Sequence, residues 1–272
     1  MLKTILLLFF LNIFIPVQIF AGTGNFPIGG RPAALANAYV AVPDLYAAHH
    51  NQAALGFVQN RGFGAFSENK FLVEGLNKFG VVAAIPTSTG TFGVDATYFG
   101  YELYSETKIG VGFGKKLTNK FALGLQFDYF NTHIAEYGKA SAFTFEVGIY
   151  YELSNKFSMG AHIFNPIQSK VGELEESIPA ILRIGAAYEA SKTVLLVLEV
   201  EKDIYFNPVF KGGIEYILSE HLHLRAGTSS SPALLSFGTG IFVKSLVIDI
   251  SATYHQTLGF SPSAGVSYVF KK

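Results

Sequence analysis

From residue 61 onward the chain alternates. In FALGLQFDYF, residues 121–130, one set of positions holds Phe121, Leu123, Leu125, Phe127 and Tyr129. The other holds Ala122, Gly124, Gln126, Asp128 and Phe130. A period of two marks a β-strand with one strongly apolar face and one small or polar face. The rhythm returns in Phe143, Phe145, Val147, Ile149 and Tyr151, and in Leu246, Ile248, Ile250, Ala252 and Tyr254. Fourteen such segments are predicted, at 61–68, 75–86, 91–101, 105–117, 121–131, 142–153, 157–164, 180–189, 193–203, 208–218, 222–229, 234–243, 246–256 and 262–270. The number is even, and most lengths lie near the roughly nine to eleven residues that carry a tilted strand across a bilayer.

The links between segments add a second pattern. Those after every even-numbered segment are tight, among them Thr118-Asn119-Lys120 and Ser154-Asn155-Lys156, while those after odd-numbered segments are mostly longer. Sorting of this kind is expected of a membrane barrel, with short periplasmic turns and longer outer loops, and it puts both chain ends on the periplasmic side. Three-residue turns would pair Leu117 with Phe121, Leu153 with Phe157 and Leu218 with Leu222. Followed inward, the last register sets Glu215 opposite Arg225; the same rule applied to EASKT sets Arg183 opposite Glu199. These lumen-facing pairs are expected to brace a filled interior rather than to line a selective pore, since their signs balance. Tyr129, Tyr151, Tyr188, Tyr254 and Tyr268 stand near strand ends, where a ring with a polar tip suits the membrane interface.

Composition agrees with lipid as the solvent of the apolar face. Half of the 272 residues are hydrophobic and 15% are charged, against about 25% in an average soluble protein. Beyond the N-terminus no run of eighteen apolar residues occurs, which excludes a helical membrane bundle. The net charge is zero and no basic stripe offers itself to nucleic acid. The absence of cysteine removes disulfides, thiol catalysis, thiolate metal sites and lipid attachment through cysteine. Residues 1–21 resemble an export signal: Lys3, an apolar stretch from Ile5 to Ile15, the break at Pro16, and Ile19-Phe20-Ala21 before the cut. The expected organisation is therefore a signal at 1–21, a distinct segment at 22–60 and a barrel at 61–272.

That segment is rich in alanine. Pro32 suits the first turn of a short helix over Ala33 to Val40, and a second helix is expected from Tyr46 to Leu55, ended by Gly56. Little in the chain reads as catalytic or metal-binding. His49 and His50 are neighbours whose side chains diverge on a helix, and no spaced ligand joins them. His221 and His223 belong to a polar lumen face beside Arg225. Glu173, Glu175 and Glu176 fall in the longest outer loop without the oxygen spacing of a calcium loop. No G-x-S-x-G is present. No enzyme activity, cofactor or metal is expected.

At GGRPAALANAYVAVPDLYAAHHNQAALG, residues 29–56, the chain resembles the start of mature proteins of the FadL superfamily, particularly its PorV/PorQ branch. The matching positions are Arg31, Ala33, Ala34, Asn37, Ala38, Tyr39, Val40, Asp44, Asn51, Ala53 and Leu55. Gln52 stands where that pattern has proline, and Asn37 where glycine is common. The resemblance implies an all-β, fourteen-stranded transmembrane antiparallel barrel in the bacterial outer membrane, plugged by a short helical N-terminal hatch in which Arg31, Asn37, Tyr39, Asp44 and Asn51 carry the motif. It implies a PorV/PorQ-type accessory or docking role in type IX-like protein secretion, with secretion components or exported proteins as partners. The alternative it leaves open is FadL-like transport of long-chain fatty acids or other hydrophobic small molecules. The modest outer loops favour the first.

Overall fold

The structure is a computed structural model that describes residues 26–172 and 176–270. The expected export signal lies outside the described residues, as do Glu173, Glu175 and the side chain of Glu176. Fourteen strands close into one antiparallel barrel. They are β1 Gly62–Asn69, β2 Asn77–Pro86, β3 Thr91–Tyr101, β4 Tyr104–Lys116, β5 Phe121–Ile134, β6 Gly138–Ser154 and β7 Phe157–Phe164. After these come β8 Ile181–Ser191, β9 Val194–Asp203, β10 Val209–Ser219, β11 Leu222–Ser230, β12 Ala233–Val243, β13 Leu246–His255 and β14 Gly259–Val269. Each strand pairs with its neighbour in sequence, and β1 meets β14 to close the ring, so no ladder edge is left for lipid to face.

The alternating sets separate as their chemistry requires. Leu125 and Phe127 are 61% and 58% exposed on the outer wall, whereas Gln126 and Asp128 between them are sealed inside. Phe143, Ile149 and Ile250 also stand on the outside. An exposed belt of Phe, Leu, Ile and Val around a closed ring is stable in hydrocarbon and not in water; the barrel spans a membrane.

The links at the rim where β1 starts and β14 ends are all short, down to two residues at 155–156, 220–221 and 244–245. The first described residue, Phe26, does not lie there as expected but packs against Phe99 and Lys70 towards the opposite rim. At the opposite rim the expected sorting holds only in part. Residues 70–76, 165–180 and 204–208 form longer connections, but 102–103 and 231–232 are two-residue turns. There the strands continue as ladders into segments expected to be loops, through Tyr101↔Tyr104 and Ile134↔Gly138, because backbone groups satisfied by each other need no loop.

Register is as expected at Glu215↔Arg225. At Arg183 it is not: Arg183 pairs with Glu201, and Glu199 stands opposite Gly185. The β8–β9 turn sits one residue later than EASKT suggests, with Ser191 paired to Val194 across a bulge. Moving a turn by one residue slides the partner by two, and a slide of two keeps every side chain on its own face. Apolar matching is blind to it.

Residues 26–60 fold into the lumen, and their apolar side chains form the barrel's main core with Phe66, Val82, Ala84, Tyr150, Ala187 and Val197 of the wall. The helices are shorter than expected: α1 Gly30–Ala34, α2 Ala47–His50, then a 3-10 turn Gln52–Phe57. The first stops because Ala36 and Asn37 turn into the left-handed region at φ 54° and 58°. That explains asparagine where the family pattern has glycine, both being residues that tolerate this conformation. The second is interrupted at Asn51, whose backbone is extended at φ −166° and ψ 101°. A smaller apolar cluster fills the lumen towards the opposite rim. Val171 and Ile178 of the 165–180 connection insert there against Phe130, Ala142 and Phe164.

Candidate functional site: a hatch bonded across the barrel lumen

The hatch touches the wall through close backbone approach and three polar networks. Close approach needs glycine. A Cβ on Gly124 would stand 2.1 Å from the Ala53 nitrogen, and one on Gly160 2.1 Å from the Val40 oxygen. The small inward residues of the alternation are thus the space into which the hatch is laid.

The first network starts at Arg31. Its Nε and Nη2 donate to Glu215 of β10 at 2.9 and 2.8 Å, a two-pronged contact, while Nη1 donates to Asp44 at 2.9 Å. Glu215 also accepts from Arg225 Nε at 2.5 Å, and Arg225 Nη1 donates to Asp249 at 2.5 Å. The Tyr39 hydroxyl donates to Asp44, which also accepts the Tyr46 amide at 2.9 Å. A chain of alternating charge therefore runs from the hatch into β10, β11 and β13.

In the second network, the backbone amides of Tyr39 and Val40 donate to Glu199 Oε2 at 2.8 and 2.9 Å. Lys211 holds both Glu199 (3.3 Å) and Glu201 (2.7 Å), and Arg183 donates to Glu201 at 2.7 Å. Freed from the Arg183 pairing expected for it, Glu199 instead receives a hatch turn. Asn51 adds its own tie: Nδ2 donates to Val40 O (2.7 Å) and to Ile149 O of β6 (3.1 Å), and Oδ1 accepts the Ala53 amide.

The third network is wholly enclosed. Lys108 Nζ lies 2.6 Å from Glu146, 3.4 Å from Asp128 and 3.6 Å from Asp95. His49 of the hatch meets Asp95 at 2.9 Å, and His162 of β7 meets Glu146 at 2.8 Å. Gln52 donates to Glu146 at 2.8 Å, and Gln126 donates to Asp95 and Asp128 at 2.8 and 2.9 Å. His50 points elsewhere, towards the Ile28 carbonyl at 3.0 Å. Burial, with His49 beside it, holds its pKa well below the ordinary imidazole value, so it donates to that carbonyl as a neutral ring.

Four of the five motif residues thus bond within the hatch or to the wall, and Asn37 supplies the turn between α1 and Tyr39. Of the expected lumen pairs, Glu215–Arg225 forms and Arg183–Glu199 does not. His223 borders Glu215 at 3.8 Å, and His221 lies in the β10–β11 turn. Among the described residues no group of acids and histidines is arranged to hold a metal ion. The Lys108 cluster was not anticipated from sequence. Its trace was there, since Asp95, Lys108, Asp128 and Glu146 all occupy inward positions of successive strands, but their convergence depends on closure. Two cavities flank the hatch at the rim of the short turns, about 260 Å³ beside Asp44, Tyr150 and Glu152, and about 320 Å³ beside Glu215, His223 and Phe242; Arg31 borders both.

No protein-family profile and no curated protein matches the sequence. Solved structures do match. The CymD monoaromatic hydrocarbon channel aligns with a TM-score of 0.68 at 13% identity, over 93% of this chain and 99% of its own. The Ralstonia pickettii toluene transporter TbuX aligns at 0.66 and 12% identity, over 93% of this chain and 100% of its own. A Pseudomonas aeruginosa FadL homologue aligns at 0.63 and 11% identity, over 90% of this chain and 97% of its own. What this chain shares with these channels and transporters is the fold.

Proposed function

We propose that this chain is an outer-membrane barrel of the FadL superfamily that passes hydrophobic small molecules, with residues 26–60 as its movable hatch and the short turns of the barrel on the periplasmic side. The observation that carries the reading is how the hatch is held. It is a lumen-filling segment tied to the wall by polar bonds, in a fold shared with hydrocarbon channels. Polar bonds between hatch and wall exchange for water when the hatch shifts, so the cost of opening falls chiefly on its apolar contacts with the wall. The transport reading thereby replaces secretion as the leading one.

The test is uptake of radiolabelled oleate and toluene by cells that lack their own transporters for such compounds and express this chain. Uptake above the empty vector is expected. It should stop when the hatch is fastened to β3 by an Ala48→Cys/Gly93→Cys disulfide and resume on reduction. The Ala48 Cβ lies 3.1 Å from the Cβ position of Gly93, a little inside ordinary disulfide reach, and Leu55 must give way slightly. Equal uptake with the hatch fastened and free would overturn the reading.

One observation supports the PorV/PorQ-like alternative. The two-residue connections at 102–103 and 231–232 build no external groove for a greasy solute. Recovery of secretion components or exported proteins with the detergent-solubilised barrel, and no solute uptake, would favour it.

A further inference from the structure

The Lys108 cluster does not balance its charge. Three carboxylates, Asp95, Asp128 and Glu146, face one ammonium at 2.6–3.6 Å, with every one of these side chains at most 2% exposed. With both imidazoles neutral, the group carries a formal charge of −2. A double charge sealed from water is costly, and protons are the cheapest remedy. The hydrogen bonds point the same way. Four side-chain atoms in the cluster have no partner among the described residues: Asp128 Oδ2, Gln52 Oε1, Gln126 Oε1 and His162 Nδ1. The other ring nitrogen of His162 is spent on Glu146. In the unprotonated cluster all four orphans are therefore lone-pair acceptors that want a donor.

The groups come from two bodies. His49 and Gln52 belong to the hatch. Asp95, Lys108, Gln126, Asp128, Glu146 and His162 belong to five consecutive strands, β3 to β7, with Arg183 of β8 the next cation round the wall. We propose that this cluster is a proton-binding latch: it takes up as many as two protons when the hatch is seated and releases them when the hatch leaves and water enters. The protons belong to the cluster as a unit. Gln52, the departure from the family's proline, ties the hatch to Glu146 at its centre. The latch concerns hatch opening alone and does not depend on which solute crosses.

The sign follows from proton counting. Above about pH 6.5, where the imidazoles of His49 and His162 stay neutral in the open state too, the seated state binds more protons than the open state, so rising pH favours opening. Each proton released multiplies the opening constant by ten per pH unit, within the range where the seated cluster is protonated and the open one is not. The chain has no cysteine, so Ala54→Cys, wholly buried in the hatch, is a unique reporter. Its labelling rate in the detergent-solubilised full barrel is measured from pH 5 to 9 and corrected for thiolate content. An opening constant that climbs ten- to a hundredfold per unit over part of this range is expected. Asp128→Asn removes one charge and one required proton, so the slope should fall by one power of ten; Asp128→Glu should restore it. A flat profile in the reporter barrel overturns the proposal whether or not the Asp128 variants fold. An unchanged slope in Asp128→Asn overturns it too, since a merely structural cluster would alter the rate and not the proton count. The readout is independent of uptake, so a barrel that carries neither oleate nor toluene still decides the question.

Discussion

Glu215 is the carboxylate on which the hatch's first network turns, and Glu215→Gln removes its charge with little change of volume. Two guanidiniums lose it: Arg31 gives up contacts of 2.9 and 2.8 Å, and Arg225 one of 2.5 Å. Neither cation is stranded, since Arg31 keeps Asp44 at 2.9 Å and Arg225 keeps Asp249 at 2.5 Å. Removing one member of a buried ion pair costs about 3–5 kcal/mol. The remaining partners, and the 22% exposure of the Arg31 side chain, put this case at the lower end, about 3 kcal/mol. The assay is the urea midpoint of the vesicle-reconstituted barrel, together with protease cleavage of the hatch, so that loss of seating is seen even when the barrel stays closed. A double-mutant cycle with Arg31→Gln isolates the contact and should return a coupling of about 1.5–3 kcal/mol, the range for hydrogen bonds between charged groups. A cost below about 1 kcal/mol with no coupling and an unaltered cleavage pattern would refute the view that Arg31 fastens the hatch to the wall.

Leu125→Arg places a guanidinium on the lipid face about 10 Å from the β4–β5 turn, near mid-bilayer, and should cost roughly 2–4 kcal/mol in vesicle unfolding. Glu152→Arg, on the lumen side beside the hatch cavity, should cost far less; equal costs would contradict the assignment of faces. Gln126→Arg is not a mild control although Gln126 faces the lumen, because the structure leaves no space there and seals Gln126 within the Lys108 cluster. Gly124→Ala drives a methyl into the hatch backbone and should cost about 1–3 kcal/mol as an overpacked contact. Its signature is a protease-sensitive hatch in a barrel that still migrates as a folded band on unheated gels; a hatch as resistant as the wild type would refute the close approach. At Asn37, φ 58° predicts that Gly leaves stability unchanged and Ala lowers it by roughly 1–2 kcal/mol; the reverse order in thermal melts would show that the turn is made otherwise.

The sequence by itself determined that this is a barrel in lipid. Period-two alternation with Leu125 and Phe127 on one face and Gln126 and Asp128 on the other is a local property, so strand number, side-chain direction and the apolar belt were legible without a fold. The composition also breaks the rhythm ahead of the strands, and the residues described there, from 26 to 60, fold inside the ring. Register was legible only where a turn fixed it, as at Glu215 and Arg225; at Arg183 a slide of two residues left every face unchanged and went unseen. Tertiary structure alone decided the rest. The inward acids and Lys108 lie on successive strands, and their meeting with His49 and Gln52 follows from closing the ring around a particular hatch path. That path in turn depends on Asn51 giving up helix to bond Ile149 across the lumen. Contacts of this kind join positions tens to nearly two hundred residues apart, as Arg31 and Glu215 do, and no local pattern encodes them.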